Sequence, residues 1–236
     1  MNQNQRTAVV AGLGEGLGAE LCRQLVGSGY RVAGLARGPE AGETLLKGLG
    51  RAHFLPLCCD LTDASQVDAA LTEVENRFGA PGLYIHNAGR FLGGACQDTQ
   101  PEEYEALWRT TCLAAVHGIQ RVLPDMLELG RGTLLMIGAT ASVKAGANFS
   151  AFGAAKFALR GLAQSLAREL GPQGIHVIHL VIDGVLWGER ARDQFGMSEA
   201  QCLEPASVAR TCLNLVEQER SAWTHELDIR PHVETF

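Results

Sequence analysis

The chain has 236 residues, 46% hydrophobic and 19% charged, which suits one large α/β domain with a substantial core and excludes a disordered or fibrous polypeptide. A net charge of −6, with Lys and Arg scattered along the chain, excludes the basic stripe that nucleic-acid binding needs. No apolar run approaches the ~20 residues of a membrane span, and seven cysteines without a Cys-x-x-Cys pair read as free thiols in a reducing cytoplasm, not disulfides or metal ligands.

The polar stretch Met1 to Thr7 runs straight into the first strand and does not read as a signal peptide. Thr7–Ala11 is the first predicted strand and Gly16–Gly27 the helix after it. Arg31–Leu35 and Ala52–Leu57 are the second and third strands. Asp63 is suited to cap a helix over Ala64–Phe78. Leu83–His86 is the fourth strand, and a long helical stretch runs from Pro101, apt for a first turn, to Leu129. Thr133–Ile137 is the fifth strand, Ala151–Leu170 a helix ended by Gly171-Pro172, and Ile175–Ile182 the sixth strand. Gly184–Gln201 reads as an irregular loop. A helix over Ala206–Gln218 and a strand over Glu226–Ile229 complete the pattern. Strands alternating with helices predict a single domain over residues 1–236. It is an α/β Rossmann fold: a doubly wound, seven-stranded, mostly parallel sheet with helices on both faces.

Between the first strand and first helix stands Gly12-Leu-Gly14-Glu15-Gly16-Leu17-Gly18. Glycines let the backbone turn tightly and approach a pyrophosphate, while the helix N-terminus offers N–H donors and a positive dipole end. Strand followed by glycine loop and helix is the context that this mechanism requires. Asp60-Leu61 follows the third strand, His86-Asn87-Ala88-Gly89 the fourth, and Lys156 sits on the helix after the fifth. Taken alone, Asp60 would be a helix cap and Asn87-Ala88-Gly89 a turn. At the ends of successive strands they support one another.

Over roughly residues 6 to 230 this set resembles the short-chain dehydrogenase/reductase family. The resemblance implies a nicotinamide dinucleotide held by the glycine loop, by Asp60 and Leu61, by Asn87, Ala88 and Gly89, by Lys156, and by Gly184 and Val185 after the sixth strand. It also implies a homodimer or homotetramer built on the two long helices; the small residues Ala151, Ala154, Ala155, Ala158, Gly161 and Ala163 suit close packing on a symmetry mate or equally on the chain's own sheet. No acidic residue ends the second strand. Ala36-Arg37 stands there, and an arginine suits a 2′-phosphate, so NADP(H) is favoured over NAD(H), although Glu15 in the glycine loop opposes it.

The active-site residues that the resemblance implies are mostly replaced. Aligned through Lys156, the family's tyrosine falls on Phe152, its serine on Ala139 and its asparagine near Thr111; the enoyl-reductase tyrosine falls on Phe149. Phenylalanine has no ionisable proton, and losing general acid–base help costs about 10²–10⁴ in rate. Conventional carbonyl reduction is therefore not expected. Thr140 and Asp183 are candidate replacements beside Lys156, with Ser142, Ser150 and Lys144 nearby. Trp187 and Phe195 fit an apolar pocket around an unidentified small organic substrate and fit packing of their own loop equally well. His176 and His179, three apart on a strand, face opposite ways and bind no metal together. Three functions fit: an atypical oxidoreductase whose substrate carbon accepts hydride without help at oxygen, such as an iminium or a polarised double bond; a non-catalytic dinucleotide-binding sensor or partner subunit; or a lyase or isomerase that uses the bound cofactor as a scaffold.

Overall fold

Runs of Val, Leu, Ile and Ala form seven strands in a computed structural model that describes residues 6–234: β1 (Thr7–Ala11), β2 (Arg31–Ala36), β3 (Phe54–Cys58), β4 (Leu83–His86), β5 (Gly132–Ile137), β6 (Ile175–Ile182) and β7 (Glu226–Ile229). They lie in the order β3-β2-β1-β4-β5-β6-β7, and every adjacent pair is parallel. The sheet expected to be mostly parallel is wholly so, because each connection crosses over and none is a hairpin. Residues 1–5 of the polar leader, and residues 235 and 236 of the expected domain, lie outside the described residues.

Alternation along the strands loads both faces of the sheet. Ala8, Val10, Ile85 and Leu135 face one layer, packed on α1 (Leu17–Gly27), α2 (Glu40–Leu49) and α8 (Pro205–Val216). Val9, Ala11, Tyr84 and Leu134 face the other, packed on α3 (Ala64–Phe78), α5 (Ala114–Leu129) and α6 (Ser150–Leu170). The order of the strands reverses between β1 and β4, so a crevice opens there at their carboxyl ends, where ligands bind in such sheets.

Several expected boundaries move. A helix absent from the sequence reading, α2, fills the β2–β3 connection and buries only Gly42 and Leu45, too thin a stripe for a clear helical period. The stretch Pro101–Leu129 is three elements: α4 (Pro101–Trp108), a π-helical turn (Arg109–Leu113) and α5. The loop expected over Gly184–Gln201 contains a short helix, α7 (Glu189–Asp193), and a 3₁₀ turn (Glu199–Gln201). The last helix starts one residue earlier than expected and ends at Val216, short of Gln218. Asp63 caps α3 as expected, accepting from the backbone N–H groups of Ser65 and Gln66.

Candidate active site

The glycine loop folds the chain tightly at the end of β1. Gly12 has φ +102°, and a Cβ there would stand 2.5 Å from the Ala88 nitrogen, so only glycine fits. The Asn87 side chain donates to the Gly12 carbonyl at 2.8 Å, and the Asn87 N–H donates to Ala11 at 2.8 Å. A Cβ on Gly18 would meet that same Gly12 carbonyl at 2.8 Å, which is how the helix packs onto the loop. Gly14 and Gly16 differ, because nothing lies within 4 Å of a Cβ built on either. No side chain caps α1. Open space before an uncapped, 11-residue helix N-terminus is what a pyrophosphate requires, so the residues present fit a dinucleotide.

Beyond the loop, Leu13, Gly14, Glu15, Ala36, Arg37, Gly38, Glu40 and Ala41 line a hollow of about 310 Å³. Arg37 and Glu15 thus line the same hollow, and Glu40 joins them from the first turn of α2, its carboxylate folded back over Gly38. Asp60 accepts from the Thr62 N–H at 2.9 Å and hydroxyl at 2.8 Å. These bonds, with help from the nearby Arg37 charge, hold its carboxyl below the usual range. Leu61 is buried in the core, and its carbonyl accepts from the His117 ring.

Lys156 ends the crevice. It is buried on α6 and its Nζ donates to the Ile137 carbonyl at 2.9 Å. A methyl group on Gly89 would stand 3.6 Å from that Nζ, so the lysine reaches the Asn87-Ala88-Gly89 turn. Burial pulls its pKa down to about 8. His86 lies buried nearby; burial, reinforced by the Lys156 charge, lowers its pKa to about 3, so it is neutral. Its Nε2 donates to the Thr111 carbonyl at 3.0 Å, within the π-helical turn. The Thr111 hydroxyl is buried and, among the described residues, has no partner.

Phe152, one turn before Lys156, contacts Phe91 edge-on at 5.4 Å between centroids. Phe91 also meets Phe149 at 5.5 Å and Phe195 at 5.9 Å, with the Arg190 guanidinium 5.9 Å above its ring. Phe195 thus packs in an aromatic group whose centre, Phe91, went unnoticed in the sequence.

The remaining hydroxyls have partners. Ser142 accepts from the Ala139 N–H at 3.1 Å, and Ser150 pairs with the Tyr104 hydroxyl at 2.6 Å. Thr140 donates to Asp183 Oδ1 at 2.7 Å. The other oxygen of Asp183 meets Arg230 Nη1 at 3.2 Å, and Arg230 Nη2 meets Asp228 at 3.0 Å. Gly184 and Val185 follow directly, with the Val185 carbonyl accepting from Leu203 at 2.8 Å. Arg230 was invisible to sequence reasoning, since it lies 47 positions from Asp183 with no spacing to mark it.

A sequence model of the short chain dehydrogenase family matches residues 6–188. The chain belongs to that family. Among solved structures, a short-chain dehydrogenase from Rhodopseudomonas palustris is 30% identical with TM-score 0.81, covering 97% of this chain and 100% of that one. A metagenomic short-chain oxidoreductase in complex with NADP is 25% identical with TM-score 0.82, covering 98% and 100%. An uncharacterized oxidoreductase from Staphylococcus aureus (strain USA300) is 24% identical over 96% of this chain and 97% of its own length. The protein is thus a short-chain-family oxidoreductase. All seven cysteines are free, five of them buried and Cys58 and Cys96 exposed. Among the described residues no cluster of potential ligands could hold a metal, and no helix is long and apolar enough to cross a membrane.

Proposed function

We propose that the protein is an atypical NAD(P)(H)-dependent oxidoreductase, with NADP(H) the preferred cofactor, acting in the cytoplasm on a small organic substrate. The observation that carries this reading is the open cradle at Gly14 and Gly16, which leads to a buried Lys156 while Phe152 stands one turn away. A bound dinucleotide supplies or accepts hydride. The protein's residues would bind it: Gly12 to Gly18 at the pyrophosphate, Arg37 at a 2′-phosphate, Asp60 at the adenine, and Asn87, Ala88, Gly89, Lys156, Gly184 and Val185 towards the nicotinamide. That a metagenomic relative was solved in complex with NADP supports the choice of NADP(H).

Proton handling differs from the family pattern. Phe152 and Ala139 have no proton to give, and the Thr140 proton is committed to Asp183. Both Asp183 oxygens are engaged, one by the Thr140 hydroxyl and the other by Arg230. The substrate carbon must therefore accept hydride without protonation at oxygen by the protein. An iminium or a polarised double bond meets that condition.

The rival reading, a non-catalytic sensor or partner subunit, draws on one specific observation. Phe91, Phe149, Phe152 and Phe195 group together where a proton-donating tyrosine would stand. In either case we propose a homodimer or homotetramer through the helices carrying Trp108 and Phe157, 43% and 42% exposed. Of the small residues on α6, Ala151, Ala155 and Ala163 are buried within the chain, whereas Ala154 and Gly161 remain exposed for a partner.

Calorimetric titration with NADPH, NADP⁺, NADH and NAD⁺, then absorbance at the nicotinamide band against carbonyls, imines and enones, tests the reading. Binding with turnover supports the oxidoreductase. Binding without turnover on the whole panel supports the sensor, and absence of binding overturns both.

A further inference from the structure

A hydroxyl has one proton, and where that proton points decides what the oxygen can offer a ligand. Thr140 sits on the turn after β5, half-buried at the carboxyl edge of the sheet, one residue beyond Ala139. Its proton is directed to Asp183 Oδ1 at 2.7 Å. Asp183 cannot turn away, since its side chain is 8% exposed and its second oxygen is held by Arg230 at 3.2 Å. Arg230 is held in turn by Asp228 at 3.0 Å. What Thr140 can present to the crevice is oxygen lone pairs, made more basic by the carboxylate behind them.

That polarity is the reverse of a carbonyl-orienting site. A ketone or aldehyde oxygen is an acceptor and finds no donor at Thr140, at Ala139 or at Phe152. A substrate with an N–H beside its hydride-accepting carbon has the complementary donor. We infer that the substrate class is a protonated imine, its iminium N–H donating to Thr140 Oγ1, with Asp183 and Arg230 as positioning residues that hold the hydroxyl in its accepting orientation. This rests on the oxidoreductase reading and selects between the two acceptor classes open there. The reaction balances without an acid. The iminium carbon gains a hydride from a reduced nicotinamide dinucleotide, which is oxidised. The C=N π pair becomes the nitrogen lone pair, and no proton moves. The phenyl group around Phe91 suits a flat, apolar body on such a substrate.

The test compares 3,4-dihydroisoquinolinium, its N-methyl iminium salt and the equally shaped ketone 1-tetralone, with NADPH. The expected order places the N–H iminium about tenfold ahead of the N-methyl salt, the worth of one charge-assisted hydrogen bond, with the ketone unreduced. Thr140→Val should bring the N–H to N-methyl ratio close to one, and Thr140→Ser should restore it; a ratio within one preparation is insensitive to any loss of folded protein. A second readout needs no turnover: calorimetry of the cofactor-free protein should show tetrahydroisoquinolinium bound about tenfold tighter than its N,N-dimethyl form, with Thr140→Val removing the difference. Faster reduction of the ketone, failure to reduce either imine while NADPH binds, or an N–H preference unmoved by Thr140→Val would each overturn the inference and leave the cofactor reading standing. Absence of NADPH binding would remove both.

Discussion

The Asn87 side chain donates to the Gly12 carbonyl across 2.8 Å, joining the turn after β4 to the loop after β1. The two loops that would flank a dinucleotide are thereby one unit, although 75 residues separate them in the chain.

The glycines of this unit divide into two kinds. Gly12→Ala forces a Cβ to 2.5 Å from backbone at positive φ, and should destabilise the fold by about 3 kcal/mol or more. Gly16→Asp has room for its side chain and should abolish NADPH binding by placing a carboxylate in the pyrophosphate space. Thermal melts beside calorimetry separate the two effects. Undiminished affinity in Gly16→Asp would sink the cradle assignment.

Cofactor choice should respond to the two acids facing Arg37 across the hollow. A 2′-phosphate there gains from the guanidinium and loses to Glu15 and Glu40, all three exposed. Glu40→Gln and Glu15→Gln should each tighten NADPH about two- to fivefold, the scale of exposed charge interactions, with little change for NADH. Arg37→Leu should weaken NADPH alone. Equal changes for both cofactors would place these side chains away from the phosphate.

Phe152→Tyr combined with Ala139→Ser should introduce reductase activity towards simple carbonyls. The tyrosine would stand one helical turn from the Lys156 amine, with the serine on the turn after β5 to orient oxygen. Steady-state rates on a carbonyl panel decide it. A double variant that binds NADPH normally and reduces none would contradict the placement of these positions in the site.

Burial of the Lys156 amine costs stability. Burial lowers its pKa from 10.5 to about 8, so the folded protein carries fewer protons at this site than the unfolded chain between those values. The burial cost is therefore present in full below about pH 8 and is relieved as pH rises towards 10.5. Lys156→Met should raise stability at pH 7 by about 1–2 kcal/mol, after losing the bond to Ile137, and weaken NADPH binding. The stability difference between the two proteins should shrink as pH rises from 8 to 10.5. A difference that stays flat would show that the lysine titrates normally.

Much of the architecture could be read directly because its cause is local. A parallel strand buried on both faces must be an unbroken apolar run such as Ile175–Ile182, and Asp63 before Ala64–Phe78 is a helix start by side-chain chemistry alone. The glycine loop was legible for the same reason, since only glycine tolerates what Gly12 and Gly18 must do. Helix α2 escaped because it buries so little, and the π-helical turn at Arg109–Leu113 because a wider turn has no pattern of its own.

The amino-acid sequence by itself determined the sheet, the crevice and the absence of a proton at residues 139 and 152, since residue identity settles whether a side chain has a proton to give. Only the tertiary structure decided what the remaining polar groups offer. Thr140, Asp183 and Arg230 come from the ends of three different strands. The direction of one hydroxyl proton among them depends on distances that exist only after β5, β6 and β7 have paired.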